Sequence, residues 1–242
     1  MRMIKGLLFD INGTITDILT NECDDQVYRV TANFLSYYGV MIEPWKLKDA
    51  YFELNKKQRH ESKEEFPEFN VGQIFYEIIQ DHKTVEIKDI AQLADSAAIV
   101  FRASTRFQLK PYECVNDVLA SLKDQYIMGI LSDGQTLWAL PELRAAGLEK
   151  YFTSFTVSGD YGFRKPDPRF YDIALKKMGL SPEEVLYIGN DMYRDIYGAH
   201  EAGMKTVFFK SNQGDHEKHG AEPDYIIYHF SELPRAIKFL SE

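Results

Sequence analysis

The sequence predicts a doubly wound α/β fold: a parallel sheet with helices on both faces and a helical bundle inserted after its first strand. Three observations predict it. Beyond Pro111, short apolar runs alternate with helical patterns that stop at glycine, at Gly147, Gly179 and Gly203, which is how βα units read. A lone apolar run, Ile4 to Phe9, precedes them and ends at Asp10. Between the two, residues 24–106 carry helical periodicity and nothing of strand character.

Taken in order, Ile4 to Phe9 is bounded by Asp10 and Gly13 and reads as a buried strand delivering its last residue into a loop. Val27, Val30, Phe34 and Tyr37 or Tyr38 then recur at helical spacing, as do Ile74, Ile78 and Ile79, and Leu93, Ala97, Val100 and Phe101. Gly39, Pro44 and the Pro67–Gly72 region punctuate them, giving about four helices. Val115, Val118, Leu119 and Leu122 mark another helix, and Tyr126 to Leu131 a strand. Helices follow near 136–146, 168–178 and 192–202, and strands near Phe155–Val157, Val185–Ile188 and Thr206–Phe209. Tyr225 to Ile227 and a helix from about Ser231 complete the pattern. The expected division is a core of residues 1–17 and 107–242 with a helical cap of residues 18–106, joined by linkers near 16–23 and 104–110.

Composition narrows the function. The 242 residues are 45% hydrophobic and 27% charged, ordinary for a globular chain that needs no disulfide or structural zinc. The net charge of −9 argues against a nucleic-acid binder, which needs a basic face. Two cysteines, Cys23 and Cys114, form no CxxC or Cys/His pattern, so a reducing compartment is expected. No apolar run approaches the roughly 18 residues of a membrane span, and the apolar stretch before Asp10 is too short for a signal peptide. A cytoplasmic protein without nucleic-acid or membrane partners is the expectation; the oligomeric state is not readable.

In open α/β sheets, ligands bind beyond the carboxyl ends of the strands. Those ends carry Asp10, Ser132 with Asp133, and Asn190 with Asp191, while Lys165 stands in the loop Gly162-Phe-Arg-Lys-Pro-Asp-Pro168. Each alone reads equally well as a turn or capping residue. Together, carboxylates, a hydroxyl and an ammonium on one edge suit a divalent cation plus an anion such as phosphate.

These residues stand in four motifs that resemble those of the haloacid dehalogenase-like (HAD) hydrolase superfamily. Leu7-Leu-Phe-Asp-Ile-Asn-Gly-Thr14 is similar to its DxDGT motif, Ile130-Leu-Ser-Asp-Gly134 to the second, and Lys165-Pro-Asp-Pro168 to the lysine motif. Tyr187-Ile-Gly-Asn-Asp-Met-Tyr-Arg-Asp195, running into Gly198-Ala-His-Glu-Ala-Gly203, is similar to the acidic fourth. The resemblance covers essentially the whole chain, and a helical block between the first two motifs is a C1-type cap. It implies a phosphatase of small phosphomonoesters with a HAD, Rossmann-like core. Asp10 would be the nucleophile forming an aspartyl-phosphate. Mg²⁺ would be held by Asp10, the backbone carbonyl of Asn12 and Asp191. Ser132, Asp133, Gly134 and Lys165 would bind the substrate, with Ser132 and Lys165 on the transferring phosphoryl group. Asp195 would support the metal site or extend it, and family spacing leaves Asn190 as an alternative to Asp191.

One position departs from the family pattern. The phosphatases carry a second Asp where this chain has Asn12, and there it protonates the leaving group and then activates water. An amide can do neither. Three accounts stay open: a replaced aspartate that traps a complex, a natural but slow or specialised hydrolase, or a likeness to the 2-haloacid dehalogenases, which lack that acid and need no metal. The dehalogenases have an aromatic residue there, and the acid-rich segment 190–195 speaks for a metal, so phosphoryl transfer ranks first. A phosphate-ester binding protein with weak turnover is the non-enzymatic alternative. His216 and His219 read as a solvated loop, the aromatics between Tyr28 and Phe52 as core of the helical block, and the mixed charge run 56–65 as a solvated helix face.

Overall fold

A computed structural model of the chain describes residues 3–242. Met1 and Arg2, which the expected core segment includes, lie outside the described residues. Strand β1 (Gly6–Phe9) is followed by β2 (Thr16–Thr20) and four helices, α1 (Asp25–Ser36), α2 (Pro44–Glu61), α3 (Val71–His82) and α4 (Ile90–Thr105). Strand β3 (Arg106–Pro111) leads into α5 (Val115–Leu122), β4 (Ile127–Ser132), α6 (Thr136–Ala145), β5 (Ser154–Val157) and α7 (Pro168–Met178). Then come β6 (Val185–Gly189), α8 (Gly198–Glu201), β7 (Lys205–Phe209), β8 (Tyr225–Ile227) and α9 (Leu233–Ser241).

Six strands form one parallel sheet in the order β5-β4-β1-β6-β7-β8. Strand β1 sits centrally because all four of its residues are apolar or glycine and all four are buried, the pattern of a strand covered on both faces. Leu7 and Phe9 join the apolar cluster that includes Leu119, Leu233 and Ile237, while Leu8 joins the opposite one, with Phe170, Tyr171 and Leu175. The chain turns to β4 and β5 on one side of β1 and to β6, β7 and β8 on the other. That reversal opens a crevice at the carboxyl ends of β4, β1 and β6.

Helices α1–α4 bury a cluster of their own around Tyr28, Tyr51, Phe75 and Phe101, which Trp138 of α6 also joins. Asp24, Asn70 and Asp89 cap α1, α3 and α4 through side-chain oxygens that accept backbone N–H groups. Segments 16–23 and 104–110, expected as linkers, are instead mostly a two-stranded antiparallel ribbon, with Thr16 opposite Pro111 and Ile18 opposite Leu109. Their short, mixed polar and apolar sequence gives no strand signal alone, because the partner lies more than eighty residues away. The expected helix at 192–202 begins as a more widely wound turn over Met192–Tyr197 before α8. Among the described residues no helix is long and apolar enough to cross a membrane.

Candidate active site

Asp10 directly follows β1, and the chain then turns at Gly13, whose φ of 85° suits glycine. A side chain there would also collide with Asn190. The Thr14 hydroxyl lies 3.1 Å from Asp10 Oδ2 and 2.9 Å from Asn190 Oδ1, tying the ends of β1 and β6 together. Gly189 at the end of β6 plays a second packing part, because any side chain on it would overlap Asp195. Asp195 Oδ2 accepts the N–H groups of Asn190 and Asp191 at 2.9 and 3.0 Å, so the fourth motif folds back around its own last aspartate.

Lys165, 3% exposed, is the centre of the arrangement. Its Nζ donates to Asp10 Oδ1 at 2.7 Å and Asp195 Oδ1 at 2.6 Å, with the Tyr187 hydroxyl at 3.3 Å. Its backbone N–H donates to Asp133 Oδ1 at 3.0 Å, which fixes the lysine loop to the end of β4. Burial would push the ammonium down, but Asp10, Asp195 and Asp133 hold it well above its ordinary value. Burial raises Asp10 to about 6 despite the ammonium beside it, and raises Asp133 as well. Asp133 Oδ2 is buried without a hydrogen-bond partner.

Asp191 sits on the same cavity in a different setting. Its Oδ1 accepts the N–H groups of Tyr193 and Arg194 at 3.1 and 2.7 Å, capping the turn. Its Oδ2 accepts from Arg194 Nε at 3.0 Å, from a second guanidinium nitrogen at 2.6 Å, and from Asp215 N–H at 3.2 Å. Burial works to raise this carboxyl, but the Arg194 guanidinium holds it below the ordinary range.

The cavity measures about 190 Å³ and is lined by Asp10, Asn12, Asp133, Lys165, Asn190, Asp191, Arg194, Asp195, Gln213 and Gly214. The structure thus brings Asp10, Asn12, Asp133, Lys165 and Asp191 together. Ser132 is buried at the end of β4, its hydroxyl 3.3 Å from the carbonyl of Asp133, and neither it nor Gly134 lines this cavity. Asn12 Oδ1 faces the Thr16 hydroxyl at 3.3 Å. Over residues 7–209 the chain matches the family described as haloacid dehalogenase-like hydrolase.

The chain is a haloacid dehalogenase-like hydrolase.

Its relatives divide between two chemistries. The hydrolase is 26% identical to the glyceraldehyde 3-phosphate phosphatase of Pyrococcus furiosus, over 99% of this chain and 94% of that one. It is 21% identical to (S)-2-haloacid dehalogenase 2 of a Pseudomonas species, over 100% of this chain and 99% of the other. In three dimensions it superposes on the 2-haloacid dehalogenase of Pseudomonas syringae with a TM-score of 0.69, at 22% identity, covering 98% and 99% of the two chains. That likeness is one of fold.

The donor set of this hydrolase suits Mg²⁺. Among the described residues no three carboxylate, imidazole or thiol groups gather closely enough to cage a metal alone. Mg²⁺ needs only one or two carboxylates, with water and phosphate oxygens filling its shell, and Asp10, Asp191 and Asn12 share one small cavity. When ionised, four aspartates there face only Lys165 and Arg194, a surplus of two negative charges that a divalent cation would cancel.

Sequence reasoning missed three participants. Arg194 stands three residues after Asp191, a spacing that brings side chains together on a turn. Tyr187 lies fully buried in β6, in a run that reads as plain apolar core, and its hydroxyl reaches Asp195 at 2.9 Å. Glu68, in the helical block, accepts from the Ser158 hydroxyl at 2.8 Å, and its N–H donates to the Gly162 carbonyl at 2.9 Å; nothing in its local sequence signals that contact.

Proposed function

We propose that this hydrolase is a Mg²⁺-dependent phosphatase of small phosphomonoesters, with Asp10 as nucleophile and residues 18–106 as the cap over a catalytic core of residues 1–17 and 107–242. The observation that carries the reading is the Lys165 ammonium between Asp10 and Asp195 in a cavity that keeps a surplus of two negative charges. A haloacid anion entering without a metal would add to that surplus, whereas a divalent cation cancels it before the phosphate ester enters. The volume of about 190 Å³ is below the 300–1,000 Å³ typical of larger ligands, so the reacting group and a few further atoms fill it. A three-carbon phosphate, as named for the Pyrococcus relative, is the first substrate to test.

Asp10, Asp191 and the carbonyl of Asn12 would hold Mg²⁺, which would offset the charge between nucleophile and phosphoryl group. The chain's own residues do the rest. Asp10 attacks phosphorus as the bond to the leaving oxygen breaks, giving the aspartyl-phosphate and an alkoxide that takes its proton from solvent, with Lys165 beside the carboxylate to hold it in place and stabilise the developing charge. Asp133, just beyond β4, bounds the site, and Ser132 behind it would reach the phosphoryl group only by turning its hydroxyl. Asn12 supplies no proton to the leaving group and draws none from water, so hydrolysis of the phospho-enzyme is the slow half.

A second reading, metal-free hydrolysis of a carbon–halogen bond, is favoured by Asn12, which supplies no acid, and by the 21% identity to (S)-2-haloacid dehalogenase 2. Phosphate release from glyceraldehyde 3-phosphate and chloride release from 2-chloropropionate, each with Mg²⁺ and with chelator, separate the two. The phosphatase reading expects phosphate release that chelator abolishes; chelator-resistant chloride release without phosphatase activity overturns it.

A further inference from the structure

Arg194 is the one cation of the cavity that the mechanism above leaves idle. Among the described residues its guanidinium hydrogen-bonds Asp191 alone, with Asp133 Oδ2 further off at 3.8 Å. The backbone beneath it is pinned, because the Tyr171 hydroxyl donates to the Arg194 carbonyl. The side chain is not: it is 43% exposed and lines the cavity.

The division of labour on Asp191 makes this contact consequential. Oδ1 is committed to the turn by two backbone N–H groups. Oδ2 is therefore the oxygen a cation would use, and it is the oxygen the guanidinium covers. Asp191 cannot serve both fully, since each shields the same lone pairs. A displaced guanidinium would still be tethered beside the cavity that Arg194 lines, and its fork of N–H donors matches the oxygens of a phosphoryl group.

We infer that Arg194 is an exchangeable counter-ion: it holds Asp191 while no metal is bound, and on metal binding it turns to the phosphoryl oxygens of the substrate. The inference rests on the Mg²⁺ site proposed above. It makes Arg194 a competitor of the metal and a ligand of phosphate at once, so one substitution moves the two affinities in opposite directions.

Calorimetric titration of the full-length, chelator-stripped protein with Mg²⁺ alone, then with inorganic phosphate at saturating Mg²⁺, tests it. Arg194→Gln is expected to bind Mg²⁺ about fivefold tighter, the upper range for relief of a partly exposed ion pair. The same variant is expected to bind phosphate about tenfold more weakly, as for one lost charge-assisted contact. Arg194→Lys, which keeps the charge and loses the fork, should fall between wild type and Arg194→Gln in both titrations and guards against a folding defect in the glutamine variant. Mg²⁺ affinity unchanged or weakened in both variants overturns the inference. Asp191→Asn serves as the separate control: lost Mg²⁺ affinity there upholds the metal site whatever Arg194 does, and unchanged affinity overturns the site itself and the inference with it.

Discussion

Two cations share one cavity, and they are held differently. Lys165 is 3% exposed and clamped by Asp10, Asp195 and Tyr187. Arg194 is 43% exposed and rests on a single carboxylate. A buried charge between two carboxylates cannot leave without stranding them, whereas a partly solvated fork exchanges partners at little cost. The contrast separates scaffold from moving part: Lys165 fixes the geometry of Asp10, and Arg194 is free to exchange partners.

The contrast breaks most visibly at Lys165. Lys165→Met leaves Asp10 and Asp195 facing each other unneutralised, and removal of one member of a buried pair typically costs about 3–5 kcal/mol. A loss of that size in urea unfolding, with phosphatase activity abolished, is expected. A drop below about 1 kcal/mol, the range of exposed pairs, would place Lys165 in the same class as Arg194 and dissolve the distinction.

A smaller effect sharpens it through pH. Burial raises Asp10 from 3.8 to about 6 in the metal-free fold. The folded state thus binds this proton more tightly than the unfolded chain, so the stabilisation is fully present below about pH 4 and is lost as pH rises through about 6. Each pKa unit corresponds to about 1.4 kcal/mol, giving about 2–3 kcal/mol over that window. Urea unfolding between pH 4 and 7 in chelator should show this slope in wild type, and Asp10→Asn should reduce it, leaving the part contributed by Asp133, which burial also raises. Saturating Mg²⁺ should flatten it, since a bound cation keeps the carboxylate ionised. A slope undiminished in Asp10→Asn would assign it to other groups.

Much of this is legible in the sequence alone. The strands read as apolar runs because both faces of the sheet are covered, and the order of motifs placed Asp10, Asp133, Lys165 and Asp191 on one edge. The ribbon of Thr16–Thr20 and Arg106–Pro111 was not, because pairing between distant segments leaves no periodicity in either. Arg194 escaped for another reason: its role follows from which oxygen of Asp191 the turn consumes, and residue spacing does not specify that. Ser132 shows the converse. Its type and motif mark it as a phosphate ligand, yet its hydroxyl lies against the Asp133 carbonyl and outside the cavity lining, so any direct part in binding requires it to turn.

The proposed mechanism keeps an attacking carboxylate and its fixed lysine and lacks an acid–base group at position 12. Intact-mass spectrometry of wild type and Asn12→Asp, each incubated with Mg²⁺ and acetyl phosphate, tests it most directly. A phosphoryl adduct on Asp10 is expected to accumulate in wild type and to clear in Asn12→Asp, with steady-state phosphate release higher by about 10² to 10⁴-fold in the variant, the usual contribution of general acid–base catalysis. No adduct in either protein, together with equal turnover, would contradict it.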